Sequence, residues 1–140
     1  MHVVDRLLQA YNAKDIDAFL SCCSPDVIAE NASGEWRCTG TGSLRETYGP
    51  IFEENPAIYA KTTHRTDLRE YVVDERITSG MEIDGLPTEQ KSVTVYRIID
   101  DRVVHMRFIA CSVKQDGMPS GTVLLDESDR NQKQLNPRAL

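Results

Sequence analysis

Four segments of alternating apolar and polar residues constrain the fold of this chain more than any other feature. The period of two that is typical of β-strands runs through Ile58–Leu68, Tyr71–Met81, Glu89–Ile99 and Arg102–Ala110. Short turn-like connections separate the four segments. Because short connections join antiparallel neighbours, this part of the chain predicts a curved antiparallel sheet of four long strands.

Helical periodicity precedes the sheet. Apolar residues recur at helical spacing through residues 3–12, which predicts a first amphipathic helix. Asp15 is expected to cap a short second helix that ends at residues 24–26, where the sequence is Ser-Pro-Asp. A third helix is predicted over Ser43–Phe52. Helices followed by an antiparallel sheet are typical of an α+β domain in which the helices pack on one face of the sheet.

Shorter elements complete the predicted domain. One or two short strands are expected between the second and third helices, at Val27–Ala32 and Glu35–Cys38. After Cys111 the pattern fades, so we divide the chain into a domain over 1–111 and a polar C-terminal tail over 112–140, partly ordered at most. Within that tail only Thr122–Leu125 is apolar enough to add a strand or to pack on a partner.

The acidic charge balance limits the classes of partner. The 140 residues fit one domain, with a net charge of −6 and basic residues that are scattered along the sequence. Nucleic acid is therefore not expected as a partner. No apolar run approaches the roughly 18 residues needed to span a bilayer, and the first residues lack the order of a signal peptide. We expect a cytoplasmic protein without a membrane contact.

Residue patterns for metal or cofactor binding are missing from the sequence. The four cysteines include no C-x-x-C pair and are interpreted as reduced thiols. There is no cluster of His, Asp and Glu at metal-ligand spacing, and no G-x-S-x-G motif. The sequence T-G-T-G-S at 39–43 lacks the lysine of a phosphate-binding loop and is interpreted as a turn and helix cap. The expectation is that neither a metal nor a cofactor is bound.

Glu75 is the candidate functional residue that strand parity singles out. Within Tyr71–Met81, one face carries Glu75 together with Val73, Ile77, Ser79 and Met81, and this mostly apolar face is expected to point inward. A carboxylate on a buried face is paired, has a raised pKa, or lines a cavity. Two interpretations therefore remain open for Glu75: an ion pair with an arginine, or a catalytic base.

The last predicted strand also has a clear parity. Val104, Met106, Phe108 and Ala110 are apolar and are expected inside, whereas His105 and Arg107 face away. The preceding strand is ambiguous, since both of its faces carry apolar residues.

Other polar residues have a structural and a functional interpretation. His64 is more often a surface or hydrogen-bonded strand histidine than a base. Tyr11, Tyr48 and Tyr96 either offer hydroxyl groups to a ligand or belong to the core with their hydroxyl groups satisfied.

Several motifs together resemble a known superfamily. The sequence Y-N-A-K-D-I-D-A-F-L is followed by S-P-D-V-I-A-E-N, then by T-G-T-G-S-L-R-E-T-Y, V-D-E-R-I-T-S-G and V-V-H-M-R-F, over about residues 3–110. In order and spacing these motifs are similar to the nuclear transport factor 2-like superfamily, which includes SnoaL-like proteins and ketosteroid isomerase. The resemblance implies a cone of curved sheet closed by three helices around an apolar pocket, and a homodimer formed through the outer sheet faces.

The resemblance argues against the mechanism of ketosteroid isomerase. The position of that family's base falls on Asn31, its helix tyrosine on Leu7, and its second acid on Thr94. None of the three functional residues is retained, and an amide cannot accept a proton as a carboxylate does. Tyr48 does match a supporting pocket tyrosine of that family. The resemblance also places Thr94 and Tyr96, rather than the other face of their strand, towards the pocket.

We predict a small-molecule site inside the cone. The first hypothesis is a cofactor-free enzyme that performs acid–base chemistry (isomerase, cyclase, dehydratase or hydrolase type) on a hydrophobic or partly polar ligand, with Glu75 as base. The alternative is a non-catalytic module that binds a ligand or a protein. In the first hypothesis Asn31, Tyr48 and Tyr96 bind the substrate; the remaining candidate lining residues are Tyr11, Phe19, Ile77, Ser79, Met81, Thr94, Met106 and Phe108.

Overall fold

The computed structural model describes residues 1–115 and 123–124. Two helices come first in the chain. Two strands and a third helix follow, and then a run of long strands. The elements are α1 (Val3–Ala13), α2 (Ile16–Ser21), β1 (Cys23–Asn31), β2 (Arg37–Thr39), α3 (Thr41–Glu54), β3 (Tyr59–Leu68), β4 (Tyr71–Ile83), β5 (Leu86–Ile99), β6 (Arg102–Gln115) and β7 (Val123–Leu124).

The strands form one curved, unclosed sheet with the order β2-β1-β6-β5-β4-β3, and β7 pairs with β6. The four long strands pair antiparallel, as their short connections predict. Strand β1 runs parallel to β6, which follows it in the chain after α3 and four further strands. The predicted α+β cone is therefore confirmed.

Local hydrogen bonds fix the ends of the helices. His2 caps α1 by accepting from the Val4 backbone N–H, at 3.1 Å from Nδ1. The Asp15 carboxylate accepts from the Ala18 N–H at 3.1 Å, as the capping pattern predicts for α2. Lys14 ends α1 in the left-handed conformation. This tight connection turns the chain directly from α1 into α2.

Helix α1 is fastened to the edge strand β3. The Asn12 side chain donates to the Ala60 carbonyl at 3.0 Å and accepts from the Ala60 N–H at 2.8 Å. The Lys14 ammonium donates to the Ile58 carbonyl. Burial lowers the pKa of this lysine. These contacts hold the helical layer over the concave side of the sheet.

A bulge at Gly80 divides β4 into two parts. The pairing with β5 shifts between Thr78 and Met81, and Gly80 has a φ of +78°. A β-carbon at Gly80 would lie 1.8 Å from the Ala57 carbonyl oxygen. The bulge therefore requires glycine, and it turns Met81 onto the buried face.

Some predicted boundaries were wrong. Helix α2 ends at Ser21, and residues 24–26 belong to β1. Strand β6 continues to Gln115, beyond the predicted strand end at Ala110. Of the two possibilities for residues 122–125, a strand is present at Val123–Leu124. Residues 116–122 and 125–140 of the predicted tail lie outside the described residues. Of the helices that the structure describes, none has the length and apolarity to cross a bilayer.

Candidate functional site

The inner face of β4 carries charged and polar residues. Val72, Asp74, Arg76 and Thr78 are fully buried on this face. Between them, Val73, Glu75, Ile77 and Ser79 are partly exposed on the outer face. The prediction that Glu75, Ile77 and Ser79 point inward was therefore wrong, whereas Met81 is buried as predicted because the bulge at Gly80 reverses the parity.

The physical reason for this reversal is charge pairing. Asp74 and Arg76 are two residues apart, so they lie on the same face and neutralise each other inside the protein. The two side chains can therefore be buried together, although each residue alone is strongly hydrophilic. Opposite Glu75 in the register lies His64, which is exposed. The structure therefore does not bring His64 or Glu75 to the concave face.

Asp74 is the centre of a buried ion-pair array. It accepts hydrogen bonds from Arg65 Nε at 2.7 Å and Arg65 Nη2 at 2.9 Å, and from Arg76 Nη2 at 2.7 Å. The Thr62 hydroxyl lies at 3.5 Å. Arg65 also donates to Asp5 of α1 at 2.9 Å, so the array links the sheet to the first helix. Sequence reasoning missed Arg65, because its partner lies on the neighbouring strand.

The charge of Asp74 is stabilised strongly. Burial alone would raise the pKa of its carboxyl, but the hydrogen bonds from Arg65 and the charge and hydrogen bond of Arg76 together hold the pKa below its usual value. The same pairing raises the pKa of Arg65. Asp74 is therefore an ionised carboxylate with both oxygens occupied, and such a group is a poor proton acceptor.

Arg76 has donors left over after it has paired with Asp74. Its side chain is completely buried, and its Cζ lies 5.1 Å from the centroid of the Tyr96 ring. In the part of the chain that the structure describes, Nε and Nη1 have no hydrogen-bond partner. A buried guanidinium with unpaired nitrogen donors is the most unusual group on the concave face.

Further unpaired polar groups continue this surface along β4 and β5. We name the surface the inner polar wall and define it by Arg76, Thr78, Gln90, Thr94 and Tyr96. Thr78 faces Gln90 across the two strands, and Thr94 faces Asp74. All five side chains are buried, and among residues 1–115 each has at least one nitrogen or oxygen atom without a hydrogen-bond partner. The Thr94 and Tyr96 orientation that the resemblance implies agrees with this placement.

Aromatic side chains from the helices form a second surface, which we name the aromatic wall. It consists of Tyr11, Phe19, Tyr48 and Phe52. Their rings pack in tilted and edge-to-face pairs, with centroids 5.1 Å apart for Phe19 and Tyr48 and 5.4 Å apart for Tyr11 and Phe52. The Tyr48 hydroxyl is buried and has no hydrogen-bond partner among the described residues.

Each wall carries a fully buried tyrosine, Tyr48 in the aromatic wall and Tyr96 in the inner polar wall. Burial raises the pKa of the Tyr96 phenol to about 12 and raises that of Tyr48 well above its usual value. The Arg76 charge opposes the increase at both phenols. Both phenols therefore remain neutral hydrogen-bond donors near neutral pH.

Met106 and Phe108 are buried on the inner face of β6, as predicted. Register with β5 places them beside Tyr96 and Thr94, respectively. Val104, by contrast, was predicted inside and lies next to an irregularity in the β5–β6 pairing, where it lines a groove on the outer face. The Phe108 ring contacts Trp36, with centroids 5.9 Å apart.

Asn31 has a structural function. Its side-chain oxygen lies 3.2 Å from the Trp36 backbone N–H and 3.3 Å from the Ser33 hydroxyl. The carbonyl that a substrate would use is therefore occupied in holding the turn between β1 and β2.

The outer face of the sheet carries a groove of about 820 Å³. Glu30 lies beside it, paired with His105 at 3.1 Å and with Arg107 at 2.9 Å. The hydrogen bond from His105 is the main cause that lowers the pKa of Glu30. The groove is lined by Asp26, Ile28, Tyr71, Val95, Arg97, Ile99, Val104, His105, Arg107 and Ile109.

Comparison with solved structures identifies the class of fold. An uncharacterised cystatin-fold protein from Novosphingobium aromaticivorans superimposes with a TM-score of 0.70 at 23% identity, over 78% of this chain and 98% of the other. A putative SnoaL-like polyketide cyclase from Jannaschia sp. gives 0.66 at 20% identity, over 77% and 82% of the chains. An epoxide hydrolase from M. tuberculosis, described as LEH-like, gives 0.62 at 21% identity, over 77% and 79%. The fold is that of the nuclear transport factor 2-like superfamily.

A match of the sequence identifies the family within that superfamily. The profile of the SnoaL-like domain matches residues 4–106, and the chain therefore belongs to the SnoaL-like domain family. No relative was found among curated proteins.

Proposed function

We propose that this chain is a small-molecule pocket protein that binds its ligand inside the cone. The observation that carries the proposal is the inner polar wall, since buried polar atoms in folded proteins almost always have hydrogen-bond partners. A buried polar group without a partner costs about 1–3 kcal/mol. A ligand whose oxygen atoms contact this wall would remove that cost, while its apolar part packs against the aromatic wall.

Catalysis without a cofactor is a second candidate function. It is favoured by the similarity of the fold to a protein described as a putative SnoaL-like polyketide cyclase and to an LEH-like epoxide hydrolase. The hypothesis that Glu75 is the base loses its geometric support, and Asp74 is already occupied by two arginines. In an enzyme the described residues would therefore act as donors: Arg76 and Tyr96 would stabilise negative charge that develops on a substrate oxygen.

One neutral ketone, 2-acetylnaphthalene, tests both candidates. We expect Tyr96→Phe to weaken its binding about 5-fold, which corresponds to the loss of one hydrogen bond. Tyr71→Phe is the matched control. Because Tyr71 is on the outer face, this substitution is expected to leave the affinity unchanged. Calorimetric titration measures the dissociation constants, and equal affinities in wild type and both variants would contradict the proposed pocket.

The same ketone, deuterated in its methyl group, separates an enzyme from a binding module. In an enzyme that stabilises the enolate with Arg76, hydroxide or water from the solvent is the base that takes the deuteron from the methyl group, and the enolate then takes a proton from water. The expected result is exchange that is faster than in buffer alone and slower again in Arg76→Met. Exchange at the rate in buffer supports a binding function alone.

We also propose that the outer face forms a homodimer. The groove on this face combines apolar side chains such as Ile99 and Ile109 with charges of both signs, Asp26 and Arg97 among them. Such a surface can pair with a copy of itself about a two-fold axis. Light scattering during size-exclusion chromatography is expected to give twice the mass of one chain, and the mass of a single chain at micromolar concentration would contradict the proposal.

A further inference from the structure

The buried charges specify what kind of ligand fits the cone. We propose that the ligand is an organic monoanion whose carboxylate binds to Arg76, with an apolar body against the aromatic wall. This inference rests on the proposed function, because it assigns a chemical class to the molecule that the cone binds. It is carried by the two unpaired nitrogen atoms of Arg76 and by the sharing of Asp74 between two arginines.

Two guanidinium groups share one buried carboxylate. Arg65 and Arg76 together donate three hydrogen bonds of 2.7–2.9 Å to Asp74. The second acidic partner of this array is Asp5, which reaches only Arg65 and whose side chain is 48% exposed. Water screens a charge at that position, so it compensates a buried cation poorly. The fully buried pair of Asp74 and Arg76 is neutral by itself, but Arg65 also pairs with Asp74, so that one buried carboxylate serves two cations.

Of the two cations, Arg76 depends more on the shared carboxylate. Arg76 has a side-chain exposure of 0%, whereas that of Arg65 is 22% and Arg65 also contacts Asp5. Burying a cation is costly unless it is paired and its donors are used. Two of the three Arg76 nitrogens have no partner within the described residues. An anion that accepts from these donors would supply the missing hydrogen bonds and a carboxylate that Arg76 does not share.

Apart from Asp74, the neighbours of Arg76 are neutral. In the sheet its lateral neighbours are Thr62 on β3 and Ser92 on β5. The Tyr96 ring centroid lies 5.1 Å from Arg76 Cζ, and burial raises the pKa of this phenol, so it is neutral near neutral pH. The unpaired Nε and Nη1 of Arg76 are charged donors, which favour a carboxylate over a neutral carbonyl.

Matched pairs of an aromatic carboxylate and its neutral amide test the inference on the wild-type chain. The pairs are benzoate with benzamide and 2-naphthoate with 2-naphthamide, which have nearly the same shape and differ by one charge. We expect each carboxylate that binds to bind at least about 10-fold more tightly than its amide, because it forms charge-assisted hydrogen bonds. Equal affinities, or tighter binding of the amides, would overturn the inference. Calorimetry at constant ionic strength is the measurement.

Variants locate the preference at Arg76. Arg76→Met is expected to abolish the preference for the carboxylates, whereas Arg76→Lys retains part of it because the charge remains. Arg97→Met is the matched control, since Arg97 lies on the outer face and pairs with Glu70. Circular dichroism checks that each variant is folded. If Arg76→Met does not fold, the affinities of the wild type for the matched pairs, together with the preference measured in Arg76→Lys, still test the inference. A preference that persists in folded Arg76→Met would overturn the assignment.

The outcomes separate this inference from the proposed function. Binding of 2-acetylnaphthalene without any preference for carboxylates contradicts only the anionic class of ligand. Failure of the ketone and of all four aromatic probes to bind contradicts the pocket itself, and the inference with it.

Discussion

Replacing Asp74 with asparagine is expected to lower the free energy of unfolding by about 3–5 kcal/mol, since it leaves two guanidinium groups without their common carboxylate. Arg76 has no access to solvent, so its charge cannot be hydrated in place of the lost pair. Urea unfolding followed by circular dichroism measures the change. The neighbouring Glu75→Gln is the matched control, and because Glu75 is partly exposed we expect a change within about 0.5 kcal/mol. Similar losses in both variants would contradict the assignment of the inner face.

The pH dependence of stability gives an independent check of Asp74. Because its pKa is lower in the folded protein than in the unfolded chain, it contributes stability above the unfolded value of about 3.9. This contribution is lost as the pH falls through the folded pKa. The wild type is therefore expected to lose stability below about pH 4 more steeply than Asp74→Asn. Parallel curves for the two proteins would show that the carboxylate is not stabilised in the fold.

Gly80→Ala is expected to lower the free energy of unfolding by about 3 kcal/mol or more. Two costs combine: the positive φ costs about 1–2 kcal/mol for a residue with a β-carbon, and the β-carbon would overlap the Ala57 carbonyl oxygen at 1.8 Å. The backbone of β4 or of the segment before β3 has to move to accommodate it. Thermal and urea unfolding measure the loss.

Gly85→Ala separates the two costs at Gly80. Gly85 has a φ of +76°, almost the same as Gly80, but nothing lies within 4 Å of the position of its β-carbon. We expect only the conformational cost of about 1–2 kcal/mol there. Equal destabilisation by the two substitutions would contradict the close approach of Ala57 to the bulge.

Local patterns predicted most of the elements. The period of two in the four long strands and the helical spacing in residues 3–12 reflect which side chains are buried, so they appear directly in the sequence. The resemblance to a superfamily then predicted that helices close the cone and that Thr94 and Tyr96 point inward. Boundaries were less accurate, because Ser24 and Pro25 occur in β1 although their types are common in turns.

The orientation of β4 could not be read from hydropathy. Val73 and Ile77 make the outer face more apolar, and they are only partly covered there. Asp74 and Arg76 tolerate burial because they neutralise each other, a cooperative effect that a residue-by-residue scale does not contain. A sequence signal was present: two opposite charges separated by one residue lie on the same face of a strand. Gly80 was the second signal, since glycine inside a strand often marks a bulge.

Contacts between distant parts of the chain explain the remaining differences. Arg65 reaches Asp74 only because β3 and β4 pair in a shifted register. The role of Asn31 depends on a turn whose hydrogen bonds involve Trp36. Neither partner can be assigned until the strands are placed side by side.

A crystal structure of the chain grown with 2-acetylnaphthalene tests the central claim most directly. We expect the ketone to lie inside the cone, with its rings against the aromatic wall and its carbonyl oxygen about 3 Å from the guanidinium of Arg76 or the hydroxyl of Tyr96. Occupancy confined to the outer groove between Tyr71 and His105, with the inner polar wall uncontacted, would contradict it.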